Sequence, residues 1–169
     1  MKILFVIDKI ELKYFEFNNL VTNFWIIKEF LDRGNEVFIT TIPNLSLKAD
    51  KAFTKCYETF CDKGNIFYKD VKIEREIDDF ELVMFRPDPP VDIDYINATY
   101  IFDFVTKPRV INSPRAIRDF NEKLHSVYFK ELMSENIVTA SLKEIEDFLA
   151  INKQIVLKPL NRCFGSGVM

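Results

Sequence analysis

The chain opens with a continuous apolar run, Ile3 to Ile7, the pattern of a strand buried on both faces. Asp8 follows at the strand's carboxyl end. Leu20, Val21, Phe24, Ile27, Phe30 and Leu31 then recur at helical spacing and predict an amphipathic helix from about Asn18 to Arg33, stopped by Gly34-Asn35. Glu36 to Ile42 predicts a second strand, with Val37, Ile39 and Thr41 alternating against Phe38 and Thr40. Strand, helix, strand in this order is a βαβ unit, which implies a parallel sheet and an α/β fold of Rossmann-like type.

Residues 43–79 scatter Phe53, Tyr57, Phe60, Phe67 and Tyr68 among many charges. A helix over Asp50–Cys61 and an edge strand over Ile66–Ile73 are expected there. Glu81–Phe85 predicts a third buried strand, ended by Arg86-Pro87-Asp88-Pro89-Pro90 because proline cannot donate to a ladder. Ile96, Tyr100 and Phe104 are in helical phase and predict a helix over Ile93–Thr106. Arg109–Ile111 reads as a short strand, and Ser113-Pro114 places an N-cap and an N1 proline at the start of another helix.

The pattern changes near Asn112–Glu122, which divides the chain into expected domains 1–119 and 120–169. The second predicts a helix over Asp119–Phe129, a strand over Asn136–Thr139 and a helix over Lys143–Asn152, with Ser141 and Glu144 at capping-box spacing. A strand over Gln154–Leu157 ends in Lys158-Pro159. A Gly-x-Gly turn, Gly165-Ser166-Gly167, would lead into a further strand at Val168 onward, so the chain reads as cut inside its second domain.

Composition narrows the function. The net charge is −3, against the basic excess of a general nucleic-acid binder. No apolar run approaches the roughly 18 residues of a membrane span, and the N-terminus lacks a signal-peptide pattern. No membrane partner and a cytoplasmic location are expected. Cys56, Cys61 and Cys163 form no metal pattern and are read as unpaired cytosolic thiols. No metal site is predicted within the chain. Two of its four glycines lie in the last five residues.

In an open parallel sheet, ligands bind beyond the carboxyl ends of the strands. Asp8 and Arg86 sit there, and Arg86 offers a planar fork of donors to a carboxylate or phosphate. A strand-ending turn with a surface Arg–Asp pair is the plainer alternative. Lys158 precedes a loop of small residues, where an ammonium and close backbone N–H groups could hold an anion. A solvent-facing lysine and an ordinary turn remain open. Asn121-Glu122-Lys123, with Arg115, Arg118 and Asp119 before it, has the spacing of a solvated, ion-paired face. His125 has no partners for a nucleophilic set.

Taken together, the stretches resemble a family. The chain has an N-terminal Lys-Ile-x-Phe-Val-x-Asp strand, then Phe-Arg-x-Asp-Pro-Pro-x-Asp-x-x-Tyr-Ile-x-Ala-Thr-Tyr over residues 85–100. Asn112, Pro114 and Arg118-Asp119-x-Asn121-Glu122-Lys123-Leu124 follow, and then Val156-Leu157-Lys158-Pro159-Leu160 with its glycine loop. This resembles the bacterial glutathione synthetases of the ATP-grasp superfamily along the whole chain, more weakly through residues 10–80. The resemblance implies a pre-ATP-grasp domain over 1–119 and the first part of an ATP-grasp domain over 120–169. It implies ATP and Mg2+ as cofactors, with γ-glutamylcysteine and glycine joined through an acyl phosphate. Lys123 and Lys158 would touch nucleotide phosphates, the 161–167 loop with Gly165, Ser166 and Gly167 would close over them, and Arg86 would lie near the peptide substrate.

The match has departures. Where the family loop usually reads Asp-Gly-x-Gly-Gly-x-Gly, Asn161, Arg162 and Phe164 replace the aspartate and two glycines, and Arg162 could compensate as a cation. Pro87 stands where lysine is common. The magnesium-binding acidic and asparagine residues are expected beyond residue 169, so the chain alone is expected not to catalyse the ligation. The resemblance also implies a homo-oligomer or a complementing C-terminal half as partner. Two rivals stand beside it. One is a non-catalytic module that binds a small carboxylate or a partner. The other is a different ATP-grasp carboxylate–amine ligase, which explains residues 84–100 less well.

Overall fold

The structure, a computed structural model, describes residues 1–13, 21–162 and 165–169. It divides into two compact units, Met1–Asp119 and Phe120–Met169.

The first unit runs β1 (Lys2–Ile7), α1 (Lys9–Lys13), α2 (Thr22–Asp32), β2 (Glu36–Thr41), β3 (Leu45–Lys48), β4 (Lys51–Asp62), β5 (Asn65–Tyr68), β6 (Ile73–Glu76), β7 (Leu82–Phe85), α3 (Ile93–Ile101), β8 (Arg109–Ile111) and α4 (Pro114–Asp119). Among the described residues the strands form one eight-stranded sheet in the order β3-β4-β2-β1-β7-β8, with β5 and β6 also paired to β4. β1 pairs in parallel with both β2 and β7, and β7 with β8. β4 is antiparallel to β2 and to its other partners.

The apolar run of β1 is central because both its faces are covered. Ile3, Phe5 and Ile7 pack with Val37, Ile39 and the α2 residues Phe24 and Ile27. Leu4 and Val6 pack on the opposite side with Phe38, Val83, Phe85 and the α3 residues Tyr95 and Ala98. All five β1 residues from Ile3 to Ile7 are fully buried, each contributing on the order of 1.5–3 kcal/mol of apolar burial. Successive strands leave β1 on opposite sides, so the carboxyl ends of β1 and β7 flank a topological switch point.

The predicted helix over Asp50–Cys61 is instead the twelve-residue strand β4. Phe53, Tyr57 and Phe60 mimic helical spacing, but Ala52, Thr54 and Cys56 are buried at every second position. Non-local pairing decides the matter. Thr54 Oγ1 donates to Thr40 Oγ1 at 2.9 Å, Thr40 Oγ1 to the Lys55 carbonyl at 2.8 Å and Thr59 Oγ1 to the Val37 carbonyl at 2.7 Å. The edge strand expected over Ile66–Ile73 is two strands, β5 and β6. The predicted first helix begins at Thr22, and its residues 18–20 lie outside the described residues. The helix over Ile93–Thr106 ends at Ile101 and tightens into a 3-10 turn at Phe102–Phe104.

In the second unit, the helix expected over Asp119–Phe129 does not form. Asn121 Oδ1 accepts the Lys123 N–H at 2.9 Å, a local bond that competes with helix. A kinked 3-10 segment, His125–Leu132, follows. The strands expected over residues 136–139 and 154–157 do not form: neither segment belongs to a strand. α5 (Leu142–Asn152) forms as its cap predicts, with Ser141 Oγ accepting the Glu144 N–H at 3.4 Å. The second half of the capping box is indirect: the Ser141 N–H goes to Thr139 Oγ1, whose hydroxyl is bonded to Glu144.

Candidate functional site

In the first unit, the carboxyl ends of β1 and β7 gather Asp8, Glu11, Asn23, Arg86 and Asp88. Arg86 follows β7, and its N–H extends the ladder to the Val6 carbonyl at 2.9 Å. Its Nε donates to Asn23 Oδ1, and no further bond or ion pair engages its Nη1 and Nη2 among the described residues. Asn23 Nδ2 donates to both carboxylate oxygens of Glu11 at 3.0 Å each. Asp8 Oδ2 accepts the Asp88 N–H at 2.7 Å, which pins the proline loop to the end of β1. The Tyr95 hydroxyl donates to the Pro87 carbonyl at 3.2 Å, and Asn112 Nδ2 donates to the Phe85 carbonyl at 3.1 Å.

Burial governs the ionisation of Asp8, Glu11 and Tyr95. It pushes the Asp8 carboxyl up, partly offset by the bond from the Asp88 N–H and reinforced by the Asp88 charge. It raises Glu11 too, against the lowering influence of the Asn23 amide and the Asp8 N–H. The Tyr95 hydroxyl is pushed up to about 12 by burial and by Asp8 and Asp88, so it stays a neutral donor at ordinary pH.

The second unit holds a groove of about 860 Å³ lined by Lys123, Lys158 and Gly167 together with apolar residues such as Ile145, Phe148 and Leu157. Leu157 and Met169 exchange backbone bonds at 2.8 and 3.1 Å, closing the 158–168 loop at its base. Gly165 and Gly167 have φ of +73° and +72°, backbone that favours glycine. At Gly167 a Cβ would also stand 3.0 Å from Pro159 Cγ. Asn121 organises the entry to the loop: its Nδ2 donates to the Leu160 carbonyl at 3.1 Å, while Lys123 Nζ donates to the Arg162 carbonyl at 2.5 Å and pairs with Glu122 at 3.0 Å. Lys158 is exposed and makes no ion pair among the described residues.

The fold thus brings Lys123, Lys158 and Gly167 onto one groove although the two lysines are far apart in sequence. Gly165 and Ser166 lie on the same loop without lining the groove, and Cys163 and Phe164 lie outside the described residues. Arg86 belongs to the first unit. The Asn121-Glu122-Lys123 segment is not a simple solvated face, because two of its side chains hold the loop. Arg118 is engaged in packing: it bonds Thr99 and Asp103 and lies over the Tyr100 ring. Sequence reasoning missed Glu11 and Asn23. Asn23 carried a signal, a polar residue between Val21 and Phe24 on the apolar face of α2. Glu11, within Asp-Lys-Ile-Glu-Leu-Lys, carried none.

A bound nucleoside triphosphate would find in this groove two ammonium groups, the positive-φ Gly167 and an apolar wall. For a metal the case differs. No group of three or more His, Cys, Asp or Glu side chains converges among the described residues. Among the same residues, no helix is long and apolar enough to cross a membrane.

Two family models match the chain. One describes the N-terminal domain of prokaryotic glutathione synthetase and covers residues 1–118. The other describes the ATP-grasp domain of that enzyme and covers residues 122–169. Among curated proteins, the glutathione synthetase of Buchnera aphidicola subsp. Schizaphis graminum is 30% identical over 151 residues, covering 87% of this chain and 47% of the relative. That of Vibrio parahaemolyticus is 31% identical over 151 residues, covering 87% and 48%. That of Synechococcus elongatus is 39% identical over 97 residues, covering 56% and 30%. The chain spans about half the length, or less, of these relatives.

Proposed function

The chain belongs to the prokaryotic glutathione synthetase family, and from that premise we propose that it serves the ATP-dependent joining of γ-glutamylcysteine to glycine. In this reading the γ-phosphoryl group passes to the peptide's carboxylate, and the glycine amine then displaces phosphate to form the amide. The observation that carries the nucleotide half is the convergence of Lys123, Lys158 and Gly167 on one groove. Phosphoryl transfer is helped most by positive groups and backbone donors held around spreading negative charge, which these residues are suited to supply. Lys123 and Lys158 are assigned to the phosphates, and the loop carrying Gly165, Ser166 and Gly167 to covering them. Arg86, whose Nη1 and Nη2 are engaged by no group among the described residues, is assigned to a carboxylate of the peptide. Magnesium, when bound, would supply positive charge that offsets the charge of the phosphates; its ligands are not assigned to residues of this chain. A cytoplasmic location belongs to the same proposal.

The test is calorimetric titration of the chain with a non-hydrolysable ATP analogue. Lys123→Ala and Lys158→Ala should each weaken binding by roughly 10- to 100-fold, the loss expected for one charge-assisted bond. Undiminished affinity in both variants would overturn the assignment. Binding of γ-glutamylcysteine with no nucleotide binding would favour a carboxylate-binding module instead.

A further inference from the structure

We propose that Asn23 and Glu11 are positioning residues that hold the Arg86 guanidinium in one orientation, with its Nη edge presented to a carboxylate of the peptide substrate. The ligand in this statement rests on the reading of Arg86 above; the orientation rests on geometry alone.

The three residues come from three elements: Glu11 from α1, Asn23 from the first turn of α2, and Arg86 from the end of β7. Asn23 is 2% exposed and Glu11 is 6% exposed. The Asn23 amide can face only one way. Its Nδ2 meets both oxygens of Glu11 at 3.0 Å, and its Oδ1 accepts from Arg86 Nε. Turning it over would set Oδ1 against a carboxylate and Nδ2 against an N–H donor, a mismatch at both ends. Glu11 therefore decides which way the amide faces, and the amide decides where the guanidinium sits.

The backbone closes the arrangement. Asn23 Nδ2 also reaches the Arg86 carbonyl at 3.4 Å, and the Asp8 N–H reaches Glu11 Oε2 at 3.4 Å. With Nε occupied, the edge of Arg86 that no described residue engages is the parallel pair of N–H groups on Nη1 and Nη2, the geometry that matches a carboxylate's two oxygens. A buried carboxylate is a poor device for stability, since apolar groups of similar volume often serve as well or better. Orienting a neighbour is a use that an apolar residue cannot supply.

The experiment has two arms on the intact chain. The first follows the Arg86 Nε–H in 15N NMR. Asn23→Ala and Glu11→Leu should speed its exchange with water by about tenfold or more, the consequence of losing a hydrogen bond to a charged group. Glu11→Gln should fall between wild type and Glu11→Leu, because its amide oxygen still accepts from Asn23 while its NH2 replaces the second acceptor. The second arm titrates γ-glutamylcysteine and, in parallel, a non-hydrolysable ATP analogue. Asn23→Ala and Glu11→Leu should weaken the peptide by about tenfold and leave the nucleotide analogue unchanged, a split that general unfolding would not produce. Unchanged Nε–H exchange in Asn23→Ala overturns the positioning role. Peptide affinity lost in Arg86→Ala but intact in Asn23→Ala overturns it equally. If wild type binds no peptide while the exchange pattern is as expected, the positioning stands and the peptide reading of Arg86 fails.

Discussion

Arg118→Ala is expected to destabilise the first unit substantially, although Arg118 belongs to a stretch by which the family is recognised. Its Nη1 donates to Thr99 Oγ1 at 3.1 Å, and its Nη2 donates to Asp103 Oδ1 and Oδ2 at 2.8 and 3.0 Å. Its guanidinium carbon lies 4.6 Å from the centroid of the Tyr100 ring. The Arg118 side chain is 16% exposed, but that of Asp103 is 46% exposed, so water screens the ion pair. The pair is accordingly worth about 0.5–1 kcal/mol. The bond to the buried Thr99 hydroxyl adds about 1 kcal/mol, and the stacking on Tyr100 about 0.5–1 kcal/mol. Urea unfolding followed by circular dichroism should therefore show a loss of about 2–3 kcal/mol with an unchanged slope. Arg118→Lys should recover less than half, because an ammonium cannot bond Thr99, bond Asp103 and stack at once. A loss below about 0.5 kcal/mol, the range of an ordinary surface change, would refute the reasoning.

Two further outcomes separate causes. Burial pushes the Asp78 carboxyl up, but bonds from the Thr106 hydroxyl and N–H and from the Lys107 N–H outweigh it and hold the group below its ordinary range. A lowered folded value means the charge stabilises the fold above the unfolded pKa of about 3.9. The stability gap between wild type and Asp78→Asn should thus be full above that value and close as pH falls through the lowered one. A gap independent of pH in urea titrations would refute the role of charge. Gly167→Ala should weaken binding of the nucleotide analogue more than Gly165→Ala. Both carry the positive-φ cost of about 1–2 kcal/mol, but only at position 167 does the new Cβ meet the Pro159 ring at 3.0 Å. Equal effects in calorimetry would refute the close approach.

What the amino-acid order determined by itself is what short-range patterns can carry. The run Ile3–Ile7, the helical phase of Phe24 and Ile27, the alternation in β2, the proline stop after Phe85 and the Ser141 cap each depend on neighbours within a few positions. The stretches at 84–100 and 118–124 carried the family. Only the tertiary structure decided the rest. β4 has aromatics at helical spacing, and it becomes a strand because β2, β3, β5 and β6 all pair with it. The helix expected after Asp119 fails because the Asn121 side chain takes a backbone N–H and a loop carbonyl 39 residues away. Arg86 was visible as a fork at a strand end, but the partner that orients it, Asn23, lies 63 residues earlier, and Glu11 acts only through that amide. Local pattern reflects backbone preference and burial face; a buried polar network depends on which distant groups the packed sheet brings within 3 Å, and that distance exists only once β1, α2 and β7 are assembled.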